Sequence, residues 1–222
     1  MSSVERFNIF DARLKTPFSL IVAGPSNCGK TTFVIDLIRN SSRVLDQEFD
    51  YILWFYGETF PRDQYLRFRD VKFHQGLPES FDKFVDSNRR GLAVFDDLMS
   101  ECGDNKLVSE FFTKRTHHEN VSVIFITQNL FHGGKERKTF SKNATYLCIF
   151  NSPLDQTVSY SLARKLMPRS QKCFVDIFLH AVNKPHGYLF IDGHQESPRN
   201  AMFRTNLFGL VQHVFIPKNS KT

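Results

Sequence analysis

The chain has 222 residues, 41% of them hydrophobic and 23% charged, with a formal net charge of +6. This composition bounds it to one substantial domain of ordinary soluble character and gives no reason for a second. No run approaches the roughly 18 uninterrupted apolar residues that cross a bilayer, and Met1-Ser-Ser-Val-Glu-Arg-Phe-Asn lacks the apolar core of a secretion signal, so a soluble intracellular protein with no membrane partner is expected.

Residues 1–15 read as an N-terminal arm, 16–210 as the folded domain and 211–222 as a C-terminal tail, polar from Pro217 to Thr222. The first element is a short apolar run, Phe18–Ala23, with the character of a buried strand. The octet Gly24-Pro25-Ser26-Asn27-Cys28-Gly29-Lys30-Thr31 follows and matches G-x-x-x-x-G-K-[ST] without a mismatch. Beyond it a helix is expected over Lys30–Arg39, with Phe33 and Leu37 on one face. Strand, glycine loop and helix in this order make an anion cradle: backbone N–H groups and the positive helix end converge on a phosphate. Residues Gly24 to Thr32 are therefore the expected nucleotide-binding segment, with Lys30 reaching the phosphates and the Thr31 hydroxyl ligating Mg²⁺.

Further strands are expected at Tyr51–Tyr56 and Val71–Gln75, and a helix over Ser80–Asn88. Leu92–Phe95 is another apolar run, and it ends in Asp96-Asp97. A carboxylate at the C-terminal edge of a buried strand, next to a phosphate loop, is what a metal-bound triphosphate requires. Asp96 is the expected Mg²⁺-side residue and Asp97 the residue that orients the attacking water. A helix is predicted over Lys106–Thr116, then the strand Val121–Thr127, which ends abruptly in Gln128 and Asn129. Gln128 is the expected γ-phosphate sensor, because its amide can both donate to and accept from phosphate and water.

Tyr146–Phe150 and Tyr188–Asp192 complete the strands; helices over Asp155–Leu166 and Ser170–Ala181 flank Pro168, and Asn183-Lys-Pro-His-Gly187 reads as a turn. The alternation implies an α/β fold: a P-loop NTPase with a mostly parallel central sheet flanked by helices on both faces. The 24 phenylalanines point to an aromatic-rich core. Cys28, Cys102, Cys148 and Cys173 are scattered, with no Cys-x-x-Cys pair, so neither a disulfide framework nor a zinc cluster is expected. His117-His118-Glu119 reads as an exposed helix end, since neighbouring positions on a helix point in different directions. Positive charge gathers at Lys114 and Arg115, at Lys135, Arg137, Lys138 and Lys142, and at Arg164, Lys165, Arg169 and Lys172. Solvated surface charge and a polyanionic partner both account for these clusters.

Gly-Pro-Ser-Asn-Cys-Gly-Lys-Thr, Ala-Val-Phe-Asp-Asp-Leu-Met-Ser-Glu, Phe-Phe-Thr-Lys-Arg-Thr-His-His and Ile-Phe-Ile-Thr-Gln-Asn-Leu-Phe together resemble the FtsK/HerA-type genome-packaging ATPases. The similarity is greatest to those of Polinton/Maverick-like elements, adintoviruses and virophages, and spans about Thr16 to Phe208. The resemblance implies an additional-strand ATPase core that uses ATP and Mg²⁺. It also implies assembly as a homo-oligomeric ring that drives double-stranded DNA into a capsid, with a capsid or portal protein as partner. Action in the host nucleus or cytoplasm during virion assembly, and association with the virion, are implied with it. Rings of this kind often complete each site with an arginine from the adjacent subunit, a part given first to Arg137 and second to Arg115, with Lys138 able to exchange roles with Arg137. Related ATPases more often carry Glu where this chain has Asp97. Two other readings stay open from the sequence: a nucleoside or nucleotide kinase, and a nucleotide-gated DNA-binding or assembly protein with weak turnover.

Overall fold

The structure, a computed structural model, describes residues 11–57, 70–98, 108, 111, 120–130 and 143–217. Nine strands form one sheet in the order β3-β2-β4-β5-β1-β6-β7-β8-β9. They are β1 Ser19–Ala23, β2 Tyr51–Tyr56, β3 Val71–Gln75, β4 Gly91–Asp96, β5 Val121–Thr127, β6 Tyr146–Phe150, β7 Tyr188–Asp192, β8 Phe203–Thr205 and β9 His213–Phe215. The first six run parallel, while β7, β8 and β9 are added antiparallel. The α-helices whose full span lies among the described residues include α1 Lys30–Arg39, α2 Ser41–Val44, α3 Thr157–Leu166 and α4 Gln171–Ala181.

The central strands are buried along their whole length because both faces of the sheet are covered. Alternate residues feed two cores. On one face Leu20, Val22, Trp54, Val94 and Ile126 meet Phe33, Leu37 and Ile38 of α1. On the other Ile21, Phe55, Phe95 and Phe125 meet Leu162 of α3 and Phe174 and Phe178 of α4. Much of this second core is aromatic: Phe55 stacks on Phe95 at 5.1 Å, and Phe81 packs on Phe111 at 4.4 Å.

Placing β5 between β1 and β4 brings the C-terminal ends of three parallel strands side by side, with Ala23 in register with Thr127 and Asp96 with Ile126. Such an edge is where open α/β sheets bind ligands.

Three parts of the sequence reading differ from the structure. Residues 80–90 form turns rather than the expected helix over Ser80–Asn88. The short strands β8 and β9 were not anticipated, and β9 lies inside the stretch 211–222 read as a tail. Leu14, within the expected arm, is buried and bridges to Leu45. The helix read over Lys106–Thr116 falls outside the described residues except Val108 and Phe111, both buried in the core. Cys102, the His117-His118-Glu119 run and the basic residues Lys114, Lys135, Lys138 and Lys142 also fall outside them.

Candidate nucleotide site

The octet forms the loop between β1 and α1, and its glycines are required by geometry at both ends. A side chain on Gly24 would stand 2.6 Å from Cβ of Phe150 and 2.8 Å from the Cys28 sulfur, while Gly29 has φ +106°, in the left-handed region. Gly29 is the N-cap of α1, and its carbonyl accepts from Phe33 N–H at 2.9 Å, so the helix starts immediately behind the loop. The Gly24 N–H donates to the Thr127 carbonyl at 3.2 Å, tying the loop to the end of β5.

Lys30 lies within this frame, its ammonium donating to the Gly24 and Pro25 carbonyls at 2.8 and 2.7 Å. Two of its three N–H groups hold the loop closed on itself, which leaves one for a phosphate oxygen. Thr31, next along, donates its hydroxyl to Asp96 Oδ2 at 3.3 Å. Residues 65 positions apart in sequence are thus in contact, and the carboxylate ending β4 faces the first turn of α1. Gln128, exposed at the tip of β5, reaches Asp97 Oδ1 at 3.5 Å. Asp97 is exposed and has φ +55°, a conformation that turns its side chain off the line of β4. Thr127 and Asn129 close a local turn, with the Asn129 N–H 3.3 Å from the Thr127 hydroxyl, which in turn donates to the Asn129 carbonyl at 3.1 Å.

A cavity of about 250 Å³ gathers these groups: Ser26, Asn27, Lys30, Thr31, Asp96, Asp97 and Gln128 all line it. Burial lifts the Asp96 carboxyl from 3.8 to about 6. Asp97 adds to that push, while the Thr31 hydroxyl, Lys30 and the Trp54 indole counter it. Burial also raises the Cys28 thiol, which keeps it neutral beside the loop. The Thr31 hydroxyl and Asp96 carboxylate are hard oxygen donors and fit Mg²⁺, which takes one or two protein oxygens and fills its remaining positions with phosphate and water. Arg137 and Arg115 lie outside the described residues.

Residues that the sequence reading did not single out form a second cavity, of about 510 Å³, which shares Asn27, Lys30 and Thr31 with the first. Its walls are Phe33 and Asp36 of α1, Phe150 at the end of β6, His186 and Tyr188 at the start of β7, and Phe208 after β8. His186, at φ +58°, has its ring Nδ1 3.0 Å from the Cys28 carbonyl. Because a carbonyl only accepts, Nδ1 carries the proton. The Asn183–Gly187 turn was legible, but only the antiparallel return of β7 reveals that it faces the phosphate loop.

No protein-family model matches the sequence, and no curated protein matches it. Solved structures do. The genome-packaging NTPase B204 of Sulfolobus turreted icosahedral virus 2, in complex with ATPγS, superposes with a TM-score of 0.56 at 10% identity, covering 91% of this chain and 98% of that one. The DNA-packaging ATPase B204 of Sulfolobus turreted icosahedral virus gives 0.56 at 9% identity, covering 91% and 98%. The sulfate complex of the former gives 0.53 at 10%, covering 90% and 97%. At these identities the likeness is one of fold, and the fold is that of the P-loop NTPases.

Proposed function

We propose that this protein is an ATP-hydrolysing motor that drives double-stranded DNA into a capsid, working as a homo-oligomeric ring against a capsid or portal partner. The observation that carries the reading is the 3.3 Å contact between Thr31 and Asp96, which joins phosphate loop and strand-end carboxylate in one cavity. The fold shared with B204, described as a DNA-packaging ATPase, supports the motor assignment. A net charge of +6 supports a polyanionic partner.

In this reading the backbone N–H groups of Gly24 to Thr32 and the ammonium of Lys30 hold the β- and γ-phosphates. Thr31 and Asp96 hold Mg²⁺, which draws charge from the phosphate oxygens when bound. Asp97 and Gln128, hydrogen-bonded to each other on the open side of the cavity, orient a water in line with the γ-phosphate. A carboxylate–amide pair suits a water nucleophile, which offers two protons and two lone pairs, better than a bulky organic acceptor, and this favours hydrolysis over phosphoryl transfer to a nucleoside. Arg137, or Arg115 in its place, completes the site from the neighbouring subunit.

The test is ATP turnover against protein concentration, with and without duplex DNA. Turnover per subunit should rise with concentration and rise again with DNA, and Lys30→Ala should reduce it to background. Turnover that ignores both protein concentration and DNA at low salt rejects the motor.

A further inference from the structure

The larger cavity follows α1 from Gly29 to Asp36, about 10 Å of helix at ~1.5 Å per residue. It starts at the phosphate loop, so it offers room for the part of a nucleotide beyond its phosphates. One wall is aromatic: Phe33, Phe150, Tyr188 and Phe208 contact one another with ring centroids 4.9 to 6.3 Å apart. Phe33 and Phe150 are buried beneath it, so the half-buried rings of Tyr188 and Phe208 present the apolar surface that takes a heterocyclic base by stacking or edge contact.

Among the described residues Asp36 supplies the one carboxylate in this lining, two helical turns beyond the loop. Among the described residues its carboxylate accepts no hydrogen bond, and its ion pair with Arg39 spans 3.8 Å, well beyond the ~2.7–2.9 Å of a charge-assisted hydrogen bond. Burial raises its pKa, with Arg39 opposing. The charge also bears on the cavity wall: Tyr188 is pushed up mainly by burial, and Asp36 adds to the effect. The Asp36 side chain is 38% exposed, so the carboxylate is open to the cavity and to water, and its acceptor-only chemistry repels phosphate while attracting N–H or O–H groups.

We propose that Asp36 selects the nucleoside, accepting a hydrogen bond from a donor of the bound nucleotide, either the exocyclic amino group of the base or the ribose 2′-hydroxyl, while the aromatic wall holds the base. This rests on the nucleotide-binding reading given above and assigns the group that recognises the part of the ligand beyond the phosphates.

Calorimetric titration tests it on wild type, Asp36→Ala and Asp36→Asn. The probes are the Mg²⁺ complexes of ATP, 2′-deoxy-ATP, purine riboside triphosphate (ATP without its 6-amino group) and tripolyphosphate. Asp36→Ala should weaken ATP binding roughly tenfold, the size of one hydrogen bond to a charged group, and leave tripolyphosphate unchanged. Asp36→Asn, which keeps a carbonyl acceptor, should recover most of the loss. Wild type should bind one of the two analogues as weakly as the alanine variant binds ATP, and that analogue names the donor.

The proposal fails if Asp36→Ala binds ATP like wild type, if tripolyphosphate is weakened to the same degree, or if both analogues bind wild type like ATP. Wild type that takes up neither ATP nor tripolyphosphate overturns the nucleotide reading as well. Uptake of tripolyphosphate as tight as that of ATP overturns this inference alone.

Discussion

Asp96 carries opposing demands. In the role proposed for it, Mg²⁺ would need its carboxylate ionised, whereas burial holds its pKa at about 6 against the ordinary 3.8. The folded chain therefore binds this proton more tightly than the unfolded chain does. Its stabilising contribution is complete below pH ~4 and is lost as pH rises through about 6, so the ionised group costs on the order of 2–3 kcal/mol at neutral pH. Asp96→Asn should accordingly stabilise the nucleotide-free protein by about that amount in urea unfolding at pH 7.5. The gain should shrink at pH 4.5, where Asp96 is protonated too. Mg·ATP affinity of the wild type should fall as pH drops below 6, because metal and proton compete for the same oxygen. Gly24 makes a separate prediction. A methyl group there meets Phe150 at 2.6 Å and Cys28 at 2.8 Å, so Gly24→Ala should displace the loop, cost about 1–3 kcal/mol and weaken ATP binding at least tenfold by calorimetry.

At the scale of elements, most of the parallel strands were legible because they are runs of apolar residues covered on both faces, as in Ser19–Ala23 and Tyr146–Phe150, whereas β3, with Lys72, His74 and Gln75, is only partly buried. The segment after Ser80 misled because Phe81, Phe84 and Val85 recur at helical spacing. They do pack inward, and one turn forms, with Phe84 and Val85 N–H on the Phe81 carbonyl. Local bonds then take over: Asp86 N–H goes to the Tyr51 hydroxyl at 3.1 Å, and Asn88 N–H to the Asp86 side chain at 3.0 Å. Strands β8 and β9 have three residues each, too few to show a period. Besides its strand pairing, β8 makes a contact no sequence pattern reveals, the fully buried ion pair of its Arg204 with Asp192 of β7. Arg204 also donates to the Ala12 and Ala201 carbonyls, and Ser197 donates to Asp192 at 2.8 Å. Removing one member strands a buried charge, so Arg204→Ala should lose about 3–5 kcal/mol in denaturant unfolding. Arg204→Met combined with Asp192→Asn should recover part of that loss. The Thr31–Asp96 side of the site was legible from motifs and the aromatic side was not, because its residues come from four separate elements that only the sheet order assembles.

At the scale of the whole molecule, one exposed basic cluster among the described residues stands apart from the loop at the end of β1. Helix α3 begins at the end of the parallel strands that carries the candidate nucleotide site and runs to the opposite end, so the turn joining it to α4 exposes Arg164, Lys165, Arg169 and Lys172 far from Asp96 and Asp97. If DNA is gripped there, converting all four to Gln should leave basal ATP turnover intact, abolish its stimulation by duplex DNA and flatten the salt dependence of DNA binding. A salt slope and stimulation equal to wild type would place the grip elsewhere.

The bond from His186 to the Cys28 carbonyl bridges 158 positions of sequence. It makes the late antiparallel strands a buttress for a motif that is complete, as a string of letters, by residue 31. A fragment stopping before the turn at residue 183 would keep every letter of that motif yet lose its brace and the rings of Tyr188 and Phe208. It should therefore hold ATP far more weakly than the intact chain, so the reach of a sequence motif is shorter than the reach of the site it announces.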